Sequence, residues 1–314
     1  MSDAIYADEL HGQGTNKARG KRIYNSYSDK AYMIFVNTFL IIALIVVVVP
    51  LLFVLASSFS SSDAVAAGRV FLWPVEPSLE GYKAVFRNDR LIRGFLNTIF
   101  YAVANIVLNL VMLLLAAYPL AKKDLKYKKY IVFLFSFTMF FSGGMIPSYL
   151  VIRSLGMIDT VWAMIIPSAM SIWNVIVTRT YFQSNIPYEL FECASIDGCG
   201  DFIYLWKVVV PLSKPILAVM ALFVGIGIWN SYFSALLYLQ NYELYPLQLV
   251  LRDILILGDT GSMLLDVKDE MERQQLQQLL KYSTMVISGV PVMLIYPFVQ
   301  KYFVKGVMVG SLKG

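Results

Sequence analysis

Long apolar runs without a single charged residue alternate with short polar segments along almost the whole chain. The first run, Ala31–Ser62, carries no charge at all, and a membrane helix needs about 20 apolar residues. Five more charge-free runs follow: Gly94–Ala121, Tyr130–Ile152, Thr160–Thr178, Pro215–Tyr242 and Tyr282–Gln300. The pattern predicts an all-α integral membrane protein with six transmembrane helices over 31–314, preceded by a polar tail over 1–30. That tail is rich in Gly, Ser, Asn and Lys and holds too little apolar surface to fold alone. Ala31–Ser62 exceeds the apolar core of a signal peptide and reads as a retained anchor, with a cleaved signal ending in the small residues after Leu55 as the alternative.

Six spans put both termini on one side. Lys and Arg favour the tail, the 119–130 loop, the 179–214 segment and the C-terminal stub over the three opposite loops. Lys122, Lys123, Lys126, Lys128 and Lys129, tightly flanked by spans, give the clearest vote. The positive-inside rule therefore makes both termini cytoplasmic and 63–93 and 243–281 external. The first external loop predicts a short helix near Gly81–Asn88. The second carries an acidic stretch, Asp266 to Glu272, running into a Gln-rich helix with Val267, Met271 and Leu279 or Leu280 as its apolar stripe. It fits either a contact for a delivered substrate or a solvated cap. Helix breakers fall inside several spans: Pro50, Ser142-Gly143-Gly144 with Pro147, Pro167, Pro291 and Pro297. In lipid they survive only where freed backbone groups are satisfied again, which fits a bundle with a cavity or moving parts as well as ordinary packing kinks.

One polar stretch between apolar runs has helical punctuation of its own, PYELFECASIDGCGDFIYLWKVVVPLSKP from Pro187 to Pro215. Pro187 suits the first turn of a helix, and Glu189 meets the positive end of its dipole. Glu189, Glu192 and Ser195 recur three apart as a polar stripe, beside an apolar patch of Leu190, Cys193 and Ala194. Asp197-Gly198 ends the helix, Gly198 being free to turn left-handed. A second short helix is predicted from about Asp201 to Lys207, before Pro211 and Pro215 open the next run. The result is a helix–turn–helix elbow beside a membrane.

Glu192-Cys193-Ala194, three residues, Gly198, nine residues, then Val208-Val209-Val210-Pro211 resembles the EAA loop of ATP-binding-cassette importer permeases, E-A-A, three residues, G, nine residues, I-x-L-P. Cys193 replaces the first Ala, and Val208 and Val210 replace Ile and Leu, all small or apolar exchanges. The likeness extends over about Leu79–Gly314. It is similar to the maltose-type carbohydrate-uptake branch at Gly81-Tyr82, Asn97, Trp229-Asn230 and the stub Lys305-Gly306 through Gly310–Gly314. Phe141 to Pro147 and Tyr296 to Phe303 resemble a subgroup associated with complex oligosaccharides. The resemblance implies an importer-permease (MetI-like) bundle in a bacterial cell membrane, with a cytoplasmic coupling loop over 183–214. It implies a heterodimer with a second permease subunit, two cytoplasmic ATPase subunits that use the ATP, an extracytoplasmic solute-binding protein and a carbohydrate substrate. Glu192, Cys193, Ala194, Asp197, Gly198 and Pro211 would couple to the ATPase, and the stub would reach between the ATPase subunits or fray as a free end. The same residues also fit an amphipathic loop without a partner, a permease for a non-sugar solute, or a channel or scaffold subunit.

Composition and missing motifs narrow the chemistry. The chain is 58% hydrophobic and 15% charged, against about 25% charged in ordinary globular domains. Its net charge of +5 sits beside apolar runs, which favours membrane lipid over nucleic acid. Cys193 and Cys199 form no disulfide framework or zinc set, and His11, in the tail, is the single histidine. No phosphate-cradling loop, H-E-x-x-H or nucleophile elbow occurs, so no catalytic residue, metal site or cofactor is expected, and the chain is not an enzyme. Neutral groups, Asn97, Asn105, Asn109, Asn174 and Asn230, stand where ion-coupled carriers place charges. Trp229, Asn230 and Tyr232, after Gly225 and Gly227, have suitable chemistry for a sugar pathway, an aromatic face beside amide and hydroxyl. Packing by Trp229 and a helix–helix bond from Asn230 is the alternative.

Overall fold

The computed structural model describes residues 27–257 and 270–311, and the side chains of 30–255, 277–297 and Gln300 within them. His11, the body of the tail, the acidic stretch through Asp269 and the last three residues of the stub lie outside the described residues. Two compact units separate, 1–51 and 52–314. In the first, residues 27–51 belong to α1 (Tyr27–Ser58), whose solvent-facing apolar side chains include Phe35, Leu44 and Val46. Pro50 is carried inside that helix without a break.

The second unit is entirely helical among the described residues. After α2 (Ser62–Ala66) and α3 (Glu80–Arg87) comes α4 (Asp89–Ala121), capped by the Asn88 side chain, which accepts from the amides of Arg90 and Leu91. α5 (Lys128–Phe140) and α6 (Met145–Ser154) follow, then α7 (Trp162–Ile165) and α8 (Ile172–Asn185). The elbow holds α9 (Tyr188–Ile196) and α10 (Asp201–Tyr204), which passes through a π-helical turn, Leu205–Val209, into α11 (Val210–Leu212). The chain continues through α12 (Lys214–Trp229), α13 (Phe233–Tyr238) and α14 (Leu247–Arg252) to the 42-residue α15 (Glu270–Ser311).

Among the described residues three helices are long and apolar enough to cross a membrane: Lys30–Ser58, Asp89–Ala121 and Gln277–Pro297. Two bent pairs raise the number to five if each is one span, α5 with α6 at 110° and Asp201–Leu212 with α12 at 81°. The six-run pattern is thus drawn with fewer continuous rods than expected. Thr160–Thr178 opens between α7 and α8 around Pro167, and Pro215–Tyr242 opens at Asn230–Tyr232. Ser142-Gly143-Gly144 also breaks its run, Gly144 adopting φ +84°. Pro291 and Pro297, by contrast, stay inside α15.

One face of α4 closes the break around Pro167 and extends to the 243–245 segment. Asn97, Tyr101, Asn105 and Asn109 recur four apart and so stack along the helix. Asn97 Nδ2 donates to the carbonyls of Glu243 and Tyr245 at 2.7 and 3.0 Å, and the Tyr101 hydroxyl to that of Leu244 at 2.9 Å. Asn105 reaches the Met164 carbonyl at 3.2 Å and Asn109 that of Ala169 at 3.1 Å. Each acceptor lies in or beside non-helical backbone, where intrahelical donors are missing.

Glycines set the helix spacing. A Cβ on Gly94 would stand 3.1 Å from Val250 Cγ2 and 3.3 Å from the Leu247 Cα, and one on Gly225 3.2 Å from Ile106 Cδ1. At Gly227 it would meet nothing within 4 Å. Gly94→Val should therefore destabilise the protein by about 1–3 kcal/mol through overpacking, read as a lower thermal midpoint in detergent. Gly227→Ala should leave that midpoint within error.

Candidate functional site

The elbow is shaped by its termini. Pro187 stands just before α9, with φ −58° and ψ 137°, one position earlier than a first-turn proline. At the other end Gly198 has φ +72°. Its amide donates to the Ser195 carbonyl at 3.1 Å and that of Cys199 to the Ala194 carbonyl at 2.8 Å, the paired bonds of a Schellman motif. The second arm runs further than Lys207, through Pro211 to Leu212, because the π turn absorbs the register there. Val209 is buried and Val208 and Val210 pack against the main core, whereas Pro211 is exposed.

Glu189, Glu192, Ser195 and Asp197 face outward, as does Cys193. The expected patch of Leu190, Cys193 and Ala194 is split: Leu190 and Cys193 are exposed, and the inward face is Phe191 with Ala194. Phe191 meets Tyr204 edge-on at 5.5 Å. Ile196, 85% exposed, joins Phe202 and Trp206 as uncovered apolar surface on the two arms. Both cysteines are free thiols.

From below, the elbow is held by residues that motif reading missed. The Lys122 ammonium pairs with Asp201, whose carboxylate also accepts from the Tyr118 hydroxyl at 3.3 Å. Lys122 lies 4.5 Å from the Phe191 ring centroid and Lys123 4.1 Å from that of Tyr188. The Tyr188 hydroxyl donates to Asp124 at 3.0 Å, a bond that raises its pKa above the ordinary phenol value. That contact weakens only as pH rises through the raised value, so it persists at physiological pH. Arg179 Nε and Gln183 Nε2 cap the carbonyls of Leu120 and Ala121 at 3.0 and 3.3 Å, closing the end of α4. An exposed ion pair contributes about 0–1 kcal/mol and a cation–π contact about 0.5–1 kcal/mol, so these contacts fix direction more than stability. Lys122 and Asp201 stand 79 positions apart, and nothing separates Lys122 from the other lysines of its cluster in the sequence.

Two cavities lie within the helices. One, about 500 Å3, is walled by α4, α8, α12 and α13 and the open segment between α7 and α8. Its polar lining is Asn109, Ser168, Ser171, Asn174, Ser231 and Ser234, with Phe223 and Tyr238 beside them. Asn109 is 2% exposed, and its buried Oδ1 has no hydrogen-bond partner among the described residues. The other, about 510 Å3, is walled by apolar groups including Ile106, Leu222, Pro291 and Ile295.

Trp229 belongs to the apolar cavity. Its Nε1 donates to the Ser288 carbonyl at 3.0 Å, beside the Ile287 carbonyl that Pro291 deprives of its helical donor, and its ring meets Phe95 edge-on. Asn230 folds its amide back onto the Ile226 carbonyl at 2.9 Å, and Tyr232 is 45% exposed. None of the three lines the polar cavity, although Ser231 between them does. No group of His, Cys, Asp and Glu able to hold a metal occurs among the described residues.

No protein-family model matches the chain. It is 40% identical to Protein LplC of Bacillus subtilis over 86% of this chain and 90% of that protein. It is 37% identical to the polygalacturonan/rhamnogalacturonan transport system permease protein YtcP of the same organism, over 91% of this chain and 99% of the relative. Among solved structures, a bacterial ABC transporter involved in the import of the acidic polysaccharide alginate matches with a TM-score of 0.81 and 35% identity, over 88% of this chain and 98% of the other.

The left-handed turn gives the elbow a direct test. Gly198→Ala should weaken the turn by about 1–2 kcal/mol, a factor of roughly 5–30 in local opening. Hydrogen exchange at the amides of residues 198 and 199 should quicken by that factor, while exchange in α8 stays unchanged.

Proposed function

Because the chain belongs to the permease subunits of ATP-binding-cassette importers of the maltose-type carbohydrate-uptake family, we propose that it lines the path of an oligosaccharide importer and couples that path to ATPase subunits through the elbow. It is a multi-pass membrane protein and not an enzyme; the ATP is hydrolysed by partner subunits. In this reading the chain crosses the cell membrane six times, the open stretches around Pro167 and Asn230 counting within spans, and both termini and the elbow are cytoplasmic. Its partners are a second permease in a heterodimer, two ATPases and an extracytoplasmic solute-binding protein. The names of two matched proteins, one for polygalacturonan/rhamnogalacturonan and one for the acidic polysaccharide alginate, point to acidic saccharides as the substrate class.

The observation that carries the coupling role is the elbow's division into two faces. Phe191, Ala194, Val208 and Val210 pack it onto the bundle, while Glu192, Cys193, Asp197 and Gly198 stand outward beside exposed Ile196 and Phe202. An outward carboxylate can give a basic group of an ATPase a charge-assisted bond. Pro211 sets the end of the arm beneath α12. The break at residues 230–232 belongs to the pathway in this reading, with Asn230 and Tyr232 facing the substrate and Trp229 anchoring the break to α15.

Two experiments test this. With the second permease and the ATPase co-expressed, Gly198→Val should leave the protein in the membrane, abolish ATPase co-purification and lower uptake tenfold or more; intact co-purification and uptake would refute the docking role. Asn230→Ala should lower uptake or change the substrate profile of a complex whose assembly is verified first. A parental profile would move the pathway away from this break.

A further inference from the structure

We propose that the polar cavity holds one uncharged glycosyl ring by its hydroxyl groups, as a subsite within this chain; the inference rests on the importer function proposed above. The cavity volume falls in the usual range for small-molecule sites, roughly 300–1,000 Å3, at about 500 Å3. Its chemistry is one-sided: six Asn and Ser side chains line it and no charged one does. A uronate carboxylate would find no cation there, whereas a neutral ring would find donors and acceptors together with Phe223 and Tyr238 for its C–H faces.

Two amides stand in this lining. Asn109 Nδ2 is occupied by the Ala169 carbonyl, and its Oδ1, shielded by its neighbours, has no donor among the described residues. The Asn174 side chain, 7% exposed, lines the same cavity and makes no hydrogen bond to a described residue, its backbone amide alone meeting Ser171 Oγ. An amide left with both donor and acceptor matches the donor–acceptor character of a sugar hydroxyl. Gly227 leaves room beside them, since a Cβ there meets nothing within 4 Å. By contrast Asn105, one turn up the same face, is saturated: its Nδ2 bonds Met164 and its Oδ1 accepts from Ser168.

The test uses the assembled importer with Gly227→Cys as a reporter, labelled by a small water-soluble thiol reagent and read by mass at position 227. The probes are raffinose, arabinotriose, a rhamnogalacturonan disaccharide and trigalacturonate, each first assayed for uptake by the parental complex. A transported probe containing a neutral ring should protect Cys at 227, and trigalacturonate should not. Asn174→Ala should raise the half-protecting concentration tenfold or more, with Asn109→Ala as a second variant. Asn174 comes first because its amide holds no part of the bundle. Transport without protection, protection by trigalacturonate alone, or an unshifted concentration in both variants overturns the subsite and leaves the importer function standing. If the parental complex takes up none of the probes, the importer reading fails and the subsite falls with it.

Discussion

Backbone polarity in an apolar surrounding is the constraint on which this bundle turns. Each peptide group that leaves a helix inside a membrane must find a partner, because no water is at hand. Here α4 supplies those partners from a single face. Asn105 and Asn109 hold carbonyls of the stretch around Pro167, and Asn97 and Tyr101 carry the same face out to the 243–245 loop. Neutral amides suit the task because they donate without the desolvation penalty of a buried charge. Interhelical polar contacts in membranes average about 0.6 kcal/mol, so four of them do not make the fold stable. They make its openings tolerable, and the openings are what create the polar cavity.

The same helix governs the elbow. Its last carbonyls, of Leu120 and Ala121, are capped by Arg179 and Gln183 of α8, and the next residue, Lys122, grips Asp201 and covers Phe191. A push on α9 therefore reaches α4 and α8 together rather than being lost in a loose loop. The second arm enters α12 through an 81° bend at buried Ser213, with Val209 anchored in the core on one side and Met220 on the other.

Apolar run length made the membrane class and most helix positions legible, since hydrophobicity over about 20 residues is a one-dimensional signal. It could not say whether a run stays helical. Pro167 marks an opening whose flanking carbonyls α4 satisfies, whereas Pro291 stays inside α15. Gly198 was legible because its role is local, a left-handed residue after an amphipathic turn. The Lys122–Asp201 pair was not, because its partners meet only after α4 and the elbow are folded together. Asn105 and Asn109 look alike in the sequence, and only the fold distinguishes the saturated one from the one with a free oxygen. Trp229 was chosen for sugar chemistry on its residue type, and its indole is already committed to a backbone carbonyl.

Three walls of the polar cavity, α4, α8 and α12, are also the helices to which the elbow is fastened. Seven residues separate Asn174 in the cavity from Gln183's neighbour Phe182 by way of Arg179, all on one short rigid helix. Helices at close-packed contact shift as units, since interiors are too dense to deform locally. Gly225 sits close against Ile106, a Cβ there standing 3.2 Å from its Cδ1, so α12 and α4 are in tight contact at this point. A motion imposed at α9 therefore reaches the helices that carry Asn109 and Asn174. A ligand shifts a conformational equilibrium only through a difference in its affinity for the two states. If a sugar ring binds in the cavity as proposed, the shared helices are enough to link it to the elbow, with no separate relay of side chains.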